Sequence, residues 1–302
     1  MGPSFEFIPL RWETALSFLP SLRRTFVVFG IALALAGGSP AALAHAPDAQ
    51  QIKRLNAQVR SHPKDIDLLL RRASLLAIAG RLDAAARDYR EVLSLDPHRA
   101  EAHLGLAKLL LKSGLLPEAQ HALHSCDSSD PQILAEKWKV QADIFAAQSK
   151  WMDAGLALDR AMALDPNLRP EDFSQRADFA ISAGRLDEAL TVLERGIEQL
   201  NGAVALRWRA IAVAIRAQRT DLALAQLDEL EKIMPGSAIV AARRGDVFAA
   251  CGRNLDASAA WTEALARIES TPRNERTPSD ESLANRLRRN LHVEQTGMTS
   301  QD

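Results

Sequence analysis

Apolar residues recur along most of this chain at helical spacing, and they come in pairs of segments. The stretch from Ile66 to Arg99 reads IDLLLRRASLLAIAGRLDAAARDYREVLSLDPHR. On either side of Gly80, apolar residues fall at i, i+3, i+4 and i+7, the pattern of two amphipathic helices joined by a short turn. Pro97 ends the second segment, because proline cannot continue a helix. No Val- or Ile-rich alternating run argues for a sheet, so the pattern predicts an all-α protein.

The same pair returns with a period of 34 residues, giving six units at 66–99, 100–133, 135–168, 170–203, 204–237 and 238–271. Counting 1 to 34 within each unit, position 15 holds Gly80, Gly114, Gly184 and Gly252, where glycine suits the left-handed backbone at a helix end. Position 20 holds Ala85, Ala119, Ala154, Ala189, Ala223 and Ala257, small enough to let two helices approach. Bulk sits at positions 4, 11 and 24, as in Trp138, Phe145, Tyr89 and Trp261. Position 32 holds Pro97, Pro131, Pro166 and Pro235; Asn201, Gln218 in place of the turn glycine, and the late Pro272 depart from the pattern.

This period and these marks resemble the tetratricopeptide repeat family. The resemblance implies a right-handed superhelical solenoid in which stacked neighbours bury faces that no single unit can bury, with polar caps at the ends. It also implies a concave groove, lined by the first helix of each unit, that binds a protein or peptide. Residues 45–65 are expected to hold a capping helix, with apolar Ile52, Leu55 and Val59. Residues 272–302 are expected to hold a linker, a closing helix carrying Leu283, Leu287 and Leu291, and a disordered tail from about His292. Arg286, Arg288 and Arg289 are expected to face water.

Residues 1–44 differ from the rest. Arg23-Arg24 precedes the short apolar run Thr25 to Ala36, and Ala42-Leu43-Ala44 follows, which together describe a secretory signal peptide cut before His45. The alternative is a retained anchor spanning Phe26 to Ala44. Arg23 to Val27 also resembles a twin-arginine export motif, from which Leu22 and Val28 depart.

The formal net charge is −1. Removing residues 1–44 leaves 37 − 3 = 34 basic and 38 − 2 = 36 acidic residues, a balance that argues against a nucleic-acid partner. Cys126 and Cys251 lie four units apart along the stack, which argues against a bridge. No Gly-rich phosphate loop, G-x-S-x-G, H-E-x-x-H or C-x-x-C occurs, so the chain is read as a non-enzyme with no cofactor. His121 and His124 share a helix face near Cys126, but position 27 points to the core and positions 22 and 25 point outward, so no metal site is expected.

The family resemblance carries groove positions onto Ser74, Lys108, Asp143, Asp178 and Asp246 at position 9, and onto Lys139, Gln175 and Arg243 at positions 5 and 6. Arg209 and Arg216 are seven apart on one face. The expected groove has an acidic middle and basic ends. Asp67, Glu101, Glu136 and Glu171 at position 2 sit where a helix dipole also favours acids. The position-9 aspartates lie deeper, and ligand contact and a plain solvated face both remain open for them. Arg72, Arg176 and Arg244 stand at position 7, where the family usually has Leu, and each needs a partner. The expected partner is a carboxylate of the adjacent unit. Asp88 and Glu91 are expected on the solvent side. The Lys and Asn set that clamps a chaperone's C-terminal carboxylate is missing.

The chain is therefore expected to be an exported, periplasmic scaffold or adaptor without a membrane span once processed. A membrane-anchored assembly factor and an accessory subunit of an envelope complex are the alternatives.

Overall fold

The computed structural model describes residues 49–298, with side chains to His292. The expected signal peptide lies outside the described residues, as do residues 299–302. The repeats lie in one compact unit that begins at Leu55.

Among the described residues every regular element is a helix. They are α1 (Ala49–Ser61), α2 (Ile66–Ile78), α3 (Leu82–Leu95), α4 (Ala100–Lys112), α5 (Leu116–His124), α6 (Pro131–Ala147) and α7 (Trp151–Leu164). They continue with α8 (Pro170–Ser182), α9 (Leu186–Gln199), α10 (Val204–Arg216), α11 (Thr220–Ile233), α12 (Ala238–Ala250), α13 (Asn254–Ser270) and α14 (Pro278–Met298). From α2 onward consecutive helices pack on each other. The first helix of one unit also meets the first helix of the next, as α2 meets α4, α4 meets α6 and α8 meets α10. The result is an all-α repeat solenoid with a layer of first helices and a layer of second helices.

The turn within each unit is the same even where glycine is absent. Gly80, Gly114, Gly184 and Gly252 have φ between 74° and 78°, and Ser149 and Gln218 take up φ of 58° and 55° at the same position. Left-handed backbone is costly for residues with a Cβ, so the stack on both sides imposes it there. The second turn is built by Asp-Pro pairs. Asp96, Asp130 and Asp165 accept from the backbone N–H two residues on, at 3.1, 2.8 and 2.9 Å. Pro131 departs from its expected place after a second helix: it opens α6, where a proline's missing N–H costs nothing.

The close-contact alanines Ala85, Ala119, Ala154, Ala189, Ala223 and Ala257 are all 0 % exposed. One apolar cluster runs from Ala142 to Val247 with Phe173, Leu193, Leu206 and Leu227 fully buried in it. In unit 6 the approach is closer still: a Cβ on Gly245 would stand 2.3 Å from the Trp261 ring. At the C-terminal end, Ala284 and Leu287 of α14 are buried with Trp261, Ala264 and Ile268. The helix runs on to Met298, past the expected start of a disordered tail at His292. Once a helix is anchored, each further residue adds a backbone bond, so its polar end propagates.

The position-7 arginines reach back along the second-helix layer. Arg176 donates to Asp159 of the preceding unit at 2.9 Å and to Glu188 of its own at 2.6 Å. Arg244 donates to Asp228 of the preceding unit at 2.9 Å. Arg72 differs: its carboxylate is Asp88 in its own unit, at 2.6 and 2.7 Å, with Asn56 of α1 at 3.4 Å. Asp88 is consequently only 7 % exposed, not on the solvent side as its place in the helix suggested. Glu91 is exposed.

Candidate partner-binding groove

The first helices present the expected groove positions on one face, and most of them hold each other. Lys108 on α4 donates to Glu136 on α6 at 2.6 Å. Lys139 on α6 donates to Asp165, in the loop before α8, at 2.9 Å, and stands 3.7 Å from both Glu136 and Asp172. Gln175 on α8 donates to Asp143 on α6 at 3.0 Å, and Arg209 on α10 donates to Asp178 on α8. At the end of the stack Asp246 accepts from Arg286 at 2.9 Å and from Trp261 Nε1 at 3.1 Å, with Arg243 3.5 Å away. Arg286 is paired there while its side chain stays 41 % exposed. The acidic middle is no open row of carboxylates. A long side chain at position 6 of one first helix reaches position 9 of the helix before it, and the pairs form a ladder across the units.

Lys108, Lys139, Asp143 and Gln175 come together around one cleft of about 520 Å³ between α4, α6 and α8. Val140 floors it, Asp172 lies in its wall, and Lys112 and Glu171 stand exposed at its edge. Ser74 lies in a neighbouring cleft of about 490 Å³, which shares Lys108 and holds Ile78, 65 % exposed. Ser74 Oγ is 3.3 Å from the hydroxyl of Tyr89. Arg209, Arg216, Arg243 and Asp246 belong to neither cleft; Arg216 is exposed, and Asp246 is tied to the closing helix. The site foreseen as one groove therefore divides. Lys112, Asp165 and Asp172 were missed. For Asp165 a signal existed, since an acid precedes the position-32 proline in three successive units.

Two carboxyls in the larger cleft are driven in opposite directions. Burial opposes ionisation of Glu136, but the Lys108 hydrogen bond and the charges of Lys108 and Lys139 outweigh it, holding its carboxyl below the usual range. Burial pushes Asp143 up, and the Gln175 hydrogen bond and the more distant Lys108 only partly offset it. Burial also weighs against the Lys139 charge, yet Asp165, Asp172 and Glu136 together raise its ammonium above the usual value. The cleft wall is in this way charged, paired and fixed.

A profile of the tetratricopeptide repeat family matches residues 76–144. Over those residues the chain carries tetratricopeptide repeats. A comparison with curated proteins finds no match. Among solved structures the array is similar to PilW, described as a type IV pilus biogenesis factor. Identity is 19%, over 66% of this chain and 96% of that one, with a TM-score of 0.50. A tetratricopeptide repeat protein from Parabacteroides merdae is 16% identical over 78% and 90% of the two chains, TM-score 0.46. YrrB, a tetratricopeptide protein with an unusual peptide-binding site, is 15% identical over 78% and 97%, TM-score 0.40. At these identities the likeness concerns the fold.

Outside the groove, the other sequence candidates diverge. His121 and His124 are exposed, whereas the Cys126 thiol is buried against the Ala100 carbonyl at 3.4 Å. Cys126 and Cys251 are both free. No helix among the described residues of the tetratricopeptide array is long and apolar enough to cross a membrane.

Proposed function

We propose that this protein is an interaction scaffold that holds an extended protein segment along its first-helix face, seated mainly in the cleft between α4, α6 and α8. The observation that carries this reading is the cleft wall itself. Three consecutive units line about 520 Å³, and their charges are already paired to one another. Such a wall needs little reorganisation on binding, which favours affinity. Polar contacts to the segment fall to Lys112 and Glu171 at the edge, because Asp143, Asp178 and Asp246 already accept from neighbouring helices. Export is part of the proposal. It rests on Arg23-Arg24, the apolar run to Ala36 and Ala42-Leu43-Ala44.

One experiment tests both parts. The protein is recovered with its partner from the envelope fraction of the native host, its N-terminus is sequenced, and the partner is titrated against a Lys112→Glu, Glu171→Lys variant. The mature chain should begin at His45, and the variant should bind about tenfold more weakly, with reduced salt dependence. A start upstream of Ala42 removes the cleaved-leader reading and leaves a retained anchor. Parental affinity in the variant removes the groove.

A further inference from the structure

The arginine that joins successive units is missing where Leu106, Gln141 and Ala210 take its position, and at the first of these seams a trough opens. Position 7 of a first helix faces position 25 of the second helix before it. Arg244 and Asp228 are related in this way, 16 residues apart, and so are Arg72 and Asn56. Arg176 and Asp159 are 17 apart, one residue being inserted between their units. The seam between α3 and α4 places Leu106 at position 7 and Arg90 at position 25. The cation has moved to the other helix and its acid is gone. Among the described residues no carboxylate pairs with Arg90.

A trough of about 560 Å³ runs along this seam. Leu93, Leu106 and Leu110 are half-buried and form its floor, while Arg90, Glu118 and His121 are exposed along its rim. An apolar floor beneath an unpaired guanidinium is complementary to an apolar group with a carboxylate next to it. The rim is too exposed to enclose a free small molecule, which needs most of its surface covered. A side chain delivered by a protein brings its own backbone to cover the trough. Glu118 disfavours a run of acids by like-charge repulsion and leaves room for a single one.

We propose that the trough between α3 and α5 receives a bulky apolar side chain of a second protein, with an adjacent carboxylate paired to Arg90. This site lies toward the second helices and is independent of the groove reading.

The test uses amide-resolved NMR titration of the whole mature chain. The probes are an N-acetylated, C-terminally amidated Gly-Phe-Asp-Gly peptide, the same peptide with Asn for Asp, and decanoate. The Asp peptide should give saturable shifts centred on Arg90, Leu106 and His121 at millimolar concentration, and the Asn peptide should bind about tenfold more weakly. Arg90→Gln, an exposed substitution that leaves the fold intact, should remove the difference between the two peptides. The double variant Arg90→Asp, Leu106→Arg rebuilds the pair seen between Arg244 and Asp228 and should abolish the shifts while retaining the thermal transition. Equal binding of the two peptides overturns the proposal. So does the absence of saturable shifts at this seam, persistence of the shifts in the double variant, or tighter binding of decanoate than of the Asp peptide.

Discussion

Arg176 and Arg244 occupy the same position in their repeats and reach back to the same position in the repeat before, yet their surroundings differ. The Arg176 side chain is 8 % exposed and held by two carboxylates. A Cβ on Gly155 would stand 3.0 Å from its guanidinium carbon, so the helix it crosses leaves it just enough room. Arg244 is 27 % exposed, and its single partner Asp228 is 61 % exposed. The repeat sets where the arginine points. The depth of the seam sets what the contact contributes, because an exposed ion pair is weakened by water and salt while a buried one cannot lose a partner cheaply. A recurring residue in a repeat is therefore no guarantee of a recurring energy.

The largest effect should come from removing the deep arginine. Arg176→Ala removes two charge-assisted hydrogen bonds from a buried guanidinium, while Asp159 and Glu188 keep Arg195 and Arg185 at 3.3 and 2.9 Å, and should cost about 3 kcal/mol in denaturant unfolding. Arg244→Ala should cost less than about 1 kcal/mol. Equal losses would show that burial is not what separates the two seams.

Apolar packing should show no such contrast. Ala189 in the unit of Arg176 and Ala257 in the unit of Arg244 are both 0 % exposed. Ala189→Leu and Ala257→Leu should each overpack their helix pair by about 1–3 kcal/mol, measured as paired melting shifts. A tolerant Ala257 would mean that the C-terminal seam is loose throughout rather than only in its ion pair.

The smallest effects concern pH and separate burial from partnership within one cleft. Glu136, ordinarily near 4.5, is held lower, so its contribution is present above that value and is lost as pH falls through the folded one. Asp143, ordinarily near 3.8, is raised, so ionising it penalises the fold, and the penalty grows as pH rises from that value through the folded one. Glu136→Gln should lower stability at neutral pH, and Asp143→Asn should raise it slightly; both differences should vanish in strong acid. Carboxyl-carbon NMR titration reads the two shifts directly. Shifts of the same sign would contradict the assignment of Lys108 to Glu136.

By itself the sequence determined the period, the helix pairs and the close-contact alanines. These depend on local spacing and on residue size, and both are written along the chain. It also marked the position-7 arginines as residues in need of partners. Only the tertiary structure decided which partners they have. Arg72 takes Asp88 in its own unit, because Asn56 stands where Arg244 finds Asp228 in the preceding one. The same holds for the groove. Asp143, Asp178 and Asp246 looked available because each lies on the presented face of its own helix. They are occupied because Gln175, Arg209 and Arg286, 32, 31 and 40 residues away, arrive from the next element. A periodicity describes one helix at a time, whereas a hydrogen bond between helices depends on where the second one lies.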